Sequence, residues 1–445
     1  MSEALVELPY GQGKAEFRVP ERNLVGVFSP NDVAPVSNVR EEVLRAIHHP
    51  IATKPLRELV KGAAKVVILA DDNTRLTPAD QIIPVLLDEM NAAGISDGQV
   101  TVIIALGTHR FMTEEEVAAK FGKQVVNRVK IKNHDYKSPA ALVDLGRTAS
   151  GTRILINREV CEADFKIGVG SIVPHHIPGF AGGAKIVQPG VSGEKTTAET
   201  HLLSVRAPRS YLGVEDNPVR LEMNEIARQV GLRTIFNTVV NRRGEVVRAF
   251  FGDTVEAFNE GVKASKDVYA VEIPEEADIV VSSSHPCDLE FWQAHKTLYP
   301  SDLAVKAGGT LIVVTPCYEG IAVTHADITD LTSCTAEVVR RMVAAGKVKD
   351  EVAAALAIAW AQVKEREAVF IVSEGIGPAK AHKLGFKHFA SVQSAFGAAL
   401  LKHGGDARVT VLTHAPDMLP IIRTGIPICA MAGEAAETGD SLRAD

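Results

Sequence analysis

The segment "KVVILADDNTRLTPADQIIPVLLDEMNAAG" constrains the fold most. Residues 65–70 read as a buried strand and 71–77 as a polar loop. Residues 78–93 read as a helix, with Pro78 at its first turn and Gly94 at its end. "VTVIIALGTHRFMTEEEVAAKFG" repeats the pattern: a strand over 100–106, then a helix with Thr113 and Glu116 spaced as a capping box. "ADFKIGVGSIVPHH" supplies a third strand ending in a polar loop. Strands alternating with helices predict an α/β fold with a mostly parallel sheet flanked by helices.

A chain of 445 residues exceeds what one hydrophobic core usually covers, so two domains are expected. The pattern restarts in "IVVSSSHPCD" (279–288), "AGGTLIVVTPCYEG" (307–320), a helical stretch near 336–363, "AVFIVSEGIG" (368–377) and "ARVTVLTHAPD" (407–417). These segments place a linker-like boundary near 266–277 and divide the chain into 1–268 and 276–405. Residues 406–445 form a segment that returns to the N-terminal domain, with a fraying tail "AGEAAETGDSLRAD".

A net charge of -7 argues against nucleic-acid binding. No secretory signal is expected at the N-terminus. The longest apolar run, "VAAALAIAWA" (352–361), is too short for a membrane span. Cys161, Cys287, Cys317, Cys334 and Cys429 lack CxxC spacing. They read as thiols in a reduced cytoplasmic setting and not as a zinc site.

Open parallel sheets bind ligands at the carboxyl ends of their strands, where the chemistry-bearing residues fall. "DDNTR" offers Asp72, Asn73, Thr74 and Arg75, suited to ribose hydroxyls and phosphate or carboxylate, or to a capped turn with a surface ion pair. "GTHR" places His109 and Arg110 after the second strand, with His109 suited to proton transfer or to a structural role. "PHHIPGFAGGAK" combines His175, His176 and Lys185. It is not a Walker loop, because Ile186 follows the lysine where a hydroxyl is needed. A desolvated Lys185 amine is also a nucleophile. "SGEKTTAETH" (192–201) reads as a helix capped by Ser192 and carrying His201, a single ligand where a protein-only metal site needs three or four. In "FWQAHK", Gln293 and Lys296 lie one helical turn apart as a carboxylate or hydroxyl clamp. Trp292 can pack on a planar ligand, and His295 lies between them.

Taken together, "DNTR" (72–75), "GTHR" (107–110), "PHHIPGFAGGAK" (174–185), "ETH" (199–201) and "QAHK" (293–296) resemble, in order and spacing, the nickel-dependent lactate racemase family. The resemblance implies two α/β domains with the active site in the cleft between them. It implies a nickel-pincer nucleotide joined covalently to Lys185, with His201 as the nickel ligand and Asp72, Asn73, Thr74 and Arg75 contacting the nucleotide. His109 and His175 match the acid–base pair; Gln293 and Lys296, with Arg75 and the neighbouring Trp292, match the substrate contacts. The implied reaction is racemisation of a short 2-hydroxy acid such as lactate by proton-coupled hydride transfer.

Malate, or a longer or sugar-derived hydroxy acid, is the alternative substrate, with His176, His295 and Arg110 as extra positive charge. A zinc-dependent hydrolase and a non-catalytic nucleotide or nickel binder are the rival classes. Trp360 reads as a core residue ahead of a cofactor-stacking one. The expected partners are a small-molecule substrate and upstream cofactor-synthesis proteins, with no nucleic acid or membrane. The oligomeric state, including a homo-oligomer, is left open.

Overall fold

The computed structural model describes residues 2–423, so Cys429 and the tail expected to fray lie outside the described residues. Two six-stranded sheets organise the chain. The first runs, edge to edge, Val246–Asp253, Thr234–Val240, Phe165–Ser171, Val66–Ala70, Val100–Ile104 and Lys130–Asn133. All its pairings are parallel except that between Thr234–Val240 and Val246–Asp253. The second runs Lys387–Phe389, Ala368–Val372, Val305–Val314, Ala277–Ser283, Val409–Leu412 and Leu24–Phe28, parallel throughout. The central strands of both sheets are buried along their length, as they must be when helices cover both faces.

The capping box at Thr113 and Glu116 forms, and Gly94 takes a positive φ just past the helix Ala79–Ala92. The apolar run 352–361 lies inside the buried helix Glu351–Arg366. Among the described residues no helix is long and apolar enough to cross a membrane.

Several expectations are corrected. The stretch near 266–277 is no open linker: it holds the end of the helix Glu256–Tyr269 and the strand Ala270–Ile273, which pairs with Leu419–Ile422. The split into 1–268 and 276–405 is not contiguous, because Leu24–Phe28 belongs to the second sheet. Val409–Leu412 lies between that strand and Ala277–Ser283, so the segment after 405 returns to the second sheet instead of the first. The reason is burial: Val409 and Val411 share one core with Val6, Leu8, Phe17 and Val19 of the N-terminal hairpin. Ser192 does not cap the next helix. Gly193 is its N-cap residue, and the Ser192 hydroxyl donates to the Val187 carbonyl at 2.8 Å.

In each sheet the strand order reverses beside a central strand. In the first, Val66–Ala70 is flanked by Val100–Ile104 and Phe165–Ser171. In the second, Ala277–Ser283 is flanked by Val305–Val314 and Val409–Leu412. Loops leaving opposite sides of such a reversal part and open a crevice.

Candidate active site

The loops at the two reversals line one cleft of about 980 Å³, including its mouth. Asp72, Arg75, His109, His175, Lys185 and His201 come from the first domain, and Trp292, Gln293, His295 and Lys296 from the second.

The first-domain loops are held by backbone geometry. Gly182 has φ 86°, and a Cβ there would sit 2.6 Å from Ile172 Cγ1 and 2.9 Å from Asn237 Oδ1. Only glycine fits that position. Asn237 Oδ1 accepts from the Gly183 amide at 2.8 Å, and the Arg220 guanidinium donates to the Gly182 carbonyl at 3.1 Å and to the Phe180 carbonyl. These contacts fix the turn Gly183–Ile186 that carries Lys185. The Gly107 amide donates to the Gly190 carbonyl at 2.9 Å, tying the His109 loop to the Lys185 segment.

One chain of hydrogen bonds crosses the cleft. The Lys296 ammonium donates to Gln293 Oε1. That fixes the Gln293 amide, whose Nε2 donates to His109 Nε2 at 3.0 Å. His109 Nε2 must then be the bare nitrogen. The ring proton sits on Nδ1, 2.6 Å from Asp72 Oδ2. Burial lowers the His109 pKa and Asp72 raises it, with a net fall that leaves the ring neutral at neutral pH. Burial pushes the Asp72 carboxyl up, but His109, Arg75 and Thr74 outweigh it and hold the group well below the usual range. A neutral His109 ring with a bare Nε2 on the cleft side can accept a proton.

Across the cavity, His175 has no carboxylate partner among the described residues. Its Nδ1 accepts the Ile177 backbone amide at 3.2 Å. Burial, then the nearby Lys185, push it well below the ordinary histidine range.

Lys185 is partly exposed to the cavity. Burial, then Arg75 and Lys296, push its amine well below the ordinary lysine range. Lys296 is pushed down to about 8 by burial and Arg75, against Cys287 and Asp417. His201, on the helix Glu194–Ser204, is pushed down to about 3 by burial and Lys185.

Other expected residues are placed differently. Asn73 turns away, donating to Glu116 at 3.0 Å, and Thr74 spends its hydroxyl on Asp72 at 2.5 Å. Neither lines the cleft. Arg110 is neutralised by Glu116, with bonds of 2.7 and 2.8 Å, and adds no free charge to the cleft. His295, pushed down to about 3 by burial and Lys296, and His176, pushed well below its usual range by burial and His295, are neutral. They do not supply the positive charge a dicarboxylate would need. Trp360 is a core residue, fully buried and edge-on to Phe291 at 5.1 Å.

The sequence reading missed His325. It is buried, stacked on Trp292 at 4.1 Å, and held by Asp350 at 2.7 Å and by the Thr108 hydroxyl of the first domain at 3.0 Å. Arg220 was also missed. A lone histidine in a loop and a buried arginine in an amphipathic helix leave no local pattern. Among the described residues no three His, Cys, Asp or Glu side chains gather as a metal-ion site, which a zinc hydrolase requires.

Residues 10–213 match the lactate racemase N-terminal domain and 273–421 the lactate racemase C-terminal domain. A lactate racemase of Thermoanaerobacterium thermosaccharolyticum is 32% identical over 71% of this chain and 75% of that protein. The chain belongs to the lactate racemase family. A lactate racemase of Lactiplantibacillus plantarum is 27% identical over 94% of this chain and 99% of that protein. The lactate racemase apoprotein structure from Thermoanaerobacterium thermosaccharolyticum superposes with a TM-score of 0.83 at 26% identity, covering 94% of this chain and 100% of that one. A Thermotoga maritima protein shares the fold alone, with a TM-score of 0.69 at 19% identity, over 86% of this chain and 98% of that one.

Proposed function

We propose that this member of the lactate racemase family, an isomerase of the racemase class, interconverts the enantiomers of a short 2-hydroxy acid, lactate first among them. The observation that carries the reading is the chain Lys296–Gln293–His109–Asp72, which joins a carboxylate-binding cation to a poised base across the interdomain cleft.

Lys296 and Arg75 provide positive charge for the substrate carboxylate, and Gln293 orients the hydroxyl toward His109. His109 Nε2 takes the hydroxyl proton, and Asp72 stabilises the imidazolium that forms. His175 lines the same cavity and serves the opposite enantiomer, because racemisation needs a proton-transfer group for each face. With His176 and His295 neutral and Arg110 paired to Glu116, none of these three adds a cation beyond Lys296 and Arg75, which favours a monocarboxylate over malate.

The residues present also fit the family's nickel-pincer nucleotide. A neutral Lys185 amine is the form that attacks an acyl carbon, and a neutral imidazole at His201 is the form that binds a metal. A single protein ligand suits a group that brings its other donors with it. When bound, that cofactor supplies the hydride acceptor and donor at the substrate carbon. Of the nucleotide-loop residues, Asp72 and Arg75 line the cleft and would contact it. This reading places the enzyme in the cytoplasm, downstream of cofactor-synthesis proteins.

The test is chiral analysis of holoenzyme incubated with pure enantiomers of lactate, malate and longer 2-hydroxy acids, together with intact-mass analysis. Racemisation of lactate and a covalent adduct that Lys185→Ala abolishes are expected. No racemisation of any 2-hydroxy acid by protein shown to carry nickel and the adduct would overturn the activity. A wild type active without an adduct would overturn the role of Lys185.

A further inference from the structure

The two acid–base histidines are oriented by different means. His109 has a carboxylate at Nδ1. Among the described residues His175 has a backbone amide and an aromatic neighbour: His176 stacks on it with ring centroids 4.6 Å apart and planes 16° apart.

His176 is itself clamped. Tyr299 stacks on it at 4.2 Å and 8°. His295 meets it edge-on at 4.9 Å and 89°. The hydrogen bonds fix the ring protons of His295 and His176. The Trp292 carbonyl, 2.8 Å from His295 Nδ1, requires the proton there, so His295 Nε2 is bare. His176 Nε2, 3.3 Å from His295 Nε2, must then donate. His176 Nδ1 is left as a bare, buried acceptor, with no hydrogen-bond partner among the described residues. A ring fixed in plane and in tautomer makes a rigid plate against which the next ring can lie.

We propose that His176 is a positioning residue for His175: clamped between Tyr299 and His295, it holds the His175 ring by stacking, with Nδ1 on the Ile177 amide and Nε2–H as a donor toward the cleft. This rests on the reading of His175 as an acid–base group. The resting enzyme then presents one histidine as acceptor, His109, and one as donor, His175. For His175 Nε2 to take a proton, the ring proton must first exchange from Nε2 to Nδ1, which keeps the ring neutral and replaces the Ile177 amide as the occupant of Nδ1. A ring held in one place limits that change to the proton itself.

The test compares His176→Ala, His176→Phe and Tyr299→Leu with wild type as full-length protein. It combines holoenzyme kinetics with nitrogen-15 histidine NMR, the His175 signals being assigned by their loss in His175→Ala. Wild type is expected to show one His175 tautomer, protonated at Nε2. His176→Ala is expected to lower kcat about 100-fold while KM changes less than about threefold, and to turn the His175 signals into a tautomer mixture. His176→Phe keeps an aromatic face and is expected to recover at least tenfold of that loss, on the order of one rotatable-ring placement, together with the single tautomer. Tyr299→Leu, which removes the outer plate, is expected to shift the His175 signals in the direction of His176→Ala, and it replaces that variant if His176→Ala does not fold.

Wild-type kcat and His175 signals in His176→Ala, or in Tyr299→Leu where it stands in, overturn the proposal. So does a His176→Phe variant as impaired as His176→Ala. If the His175 signals respond as expected while wild-type holoenzyme racemises no 2-hydroxy acid, the positioning stands and the proposed function falls.

Discussion

His109 Nδ1 lies 2.6 Å from Asp72 Oδ2, and that contact leaves Nε2 as the nitrogen facing Gln293 across the cleft. Base strength and ring orientation at His109 both depend on Asp72. Asp72→Asn keeps the shape but removes the charge that stabilises the imidazolium. Its turnover is expected to fall at least about 100-fold, at temperatures where calorimetry shows the variant still folded. Steady-state kinetics beside calorimetry check this, and near-wild-type turnover would remove Asp72 from the mechanism.

His325 links the two domains through the Thr108 hydroxyl and Asp350 and backs the Trp292 ring. His325→Ala leaves Asp350 Oδ2 without its partner, while Oδ1 keeps the Ala353 amide. A loss of about 1–3 kcal/mol is expected, read from urea unfolding. Trp292 is one of two tryptophans, so a change in intrinsic fluorescence should accompany the loss.

Trp292 lines the cleft beside Gln293 and is 5% exposed. Trp292→Ala opens that wall. Activity on lactate is expected to drop, while the ratio of kcat/KM for a longer 2-hydroxy acid to that for lactate rises about tenfold, the scale of a methylene-sized pocket change. A substrate panel on the variant measures it. An unchanged ratio would take Trp292 out of substrate selection.

His134, remote in sequence from the cleft motifs, is fully buried between Asn157 and the Ser192 carbonyl, and burial pushes it down to about 4. Its folded pKa lies below that of the unfolded chain, which therefore takes up a proton first as pH falls. Stability from this group is complete above about pH 6.5 and is lost down to about pH 4, by up to about 3 kcal/mol. His134→Gln should make the pH dependence of the urea midpoint shallower by one proton in that window. An identical slope would show that His134 does not titrate on unfolding.

The α/β class and seven of the twelve strands in the two large sheets are legible in the sequence, because continuous apolar runs and capping signals act locally; Leu24–Phe28, Lys130–Asn133, Thr234–Val240, Val246–Asp253 and Lys387–Phe389 are not. Thr113 with Glu116 forms a capping box within four residues, and Val66–Ala70 carries its burial in its own composition. The membership of strands in sheets was not legible. Leu24–Phe28 and Val409–Leu412 are 380 residues apart yet adjacent, and nothing within either segment names its neighbour. The placing of Ser192 failed because a hydroxyl near a helix start has competing acceptors, and the Val187 carbonyl is the one it reaches.

By itself, the sequence determined which chemical groups this protein can bring to a site: His109, His175 and His201, Lys185 and Lys296, Arg75 and Asp72, on loops and helices that follow buried strands. The tertiary structure alone decided their states. It gave His109 its carboxylate and its bare Nε2, and it turned Asn73 and Arg110 away toward Glu116. It also set His176 as a plate between Tyr299 and His175. Protonation and orientation depend on burial and on partners distant in the chain, and those exist only once the two sheets close on one cleft.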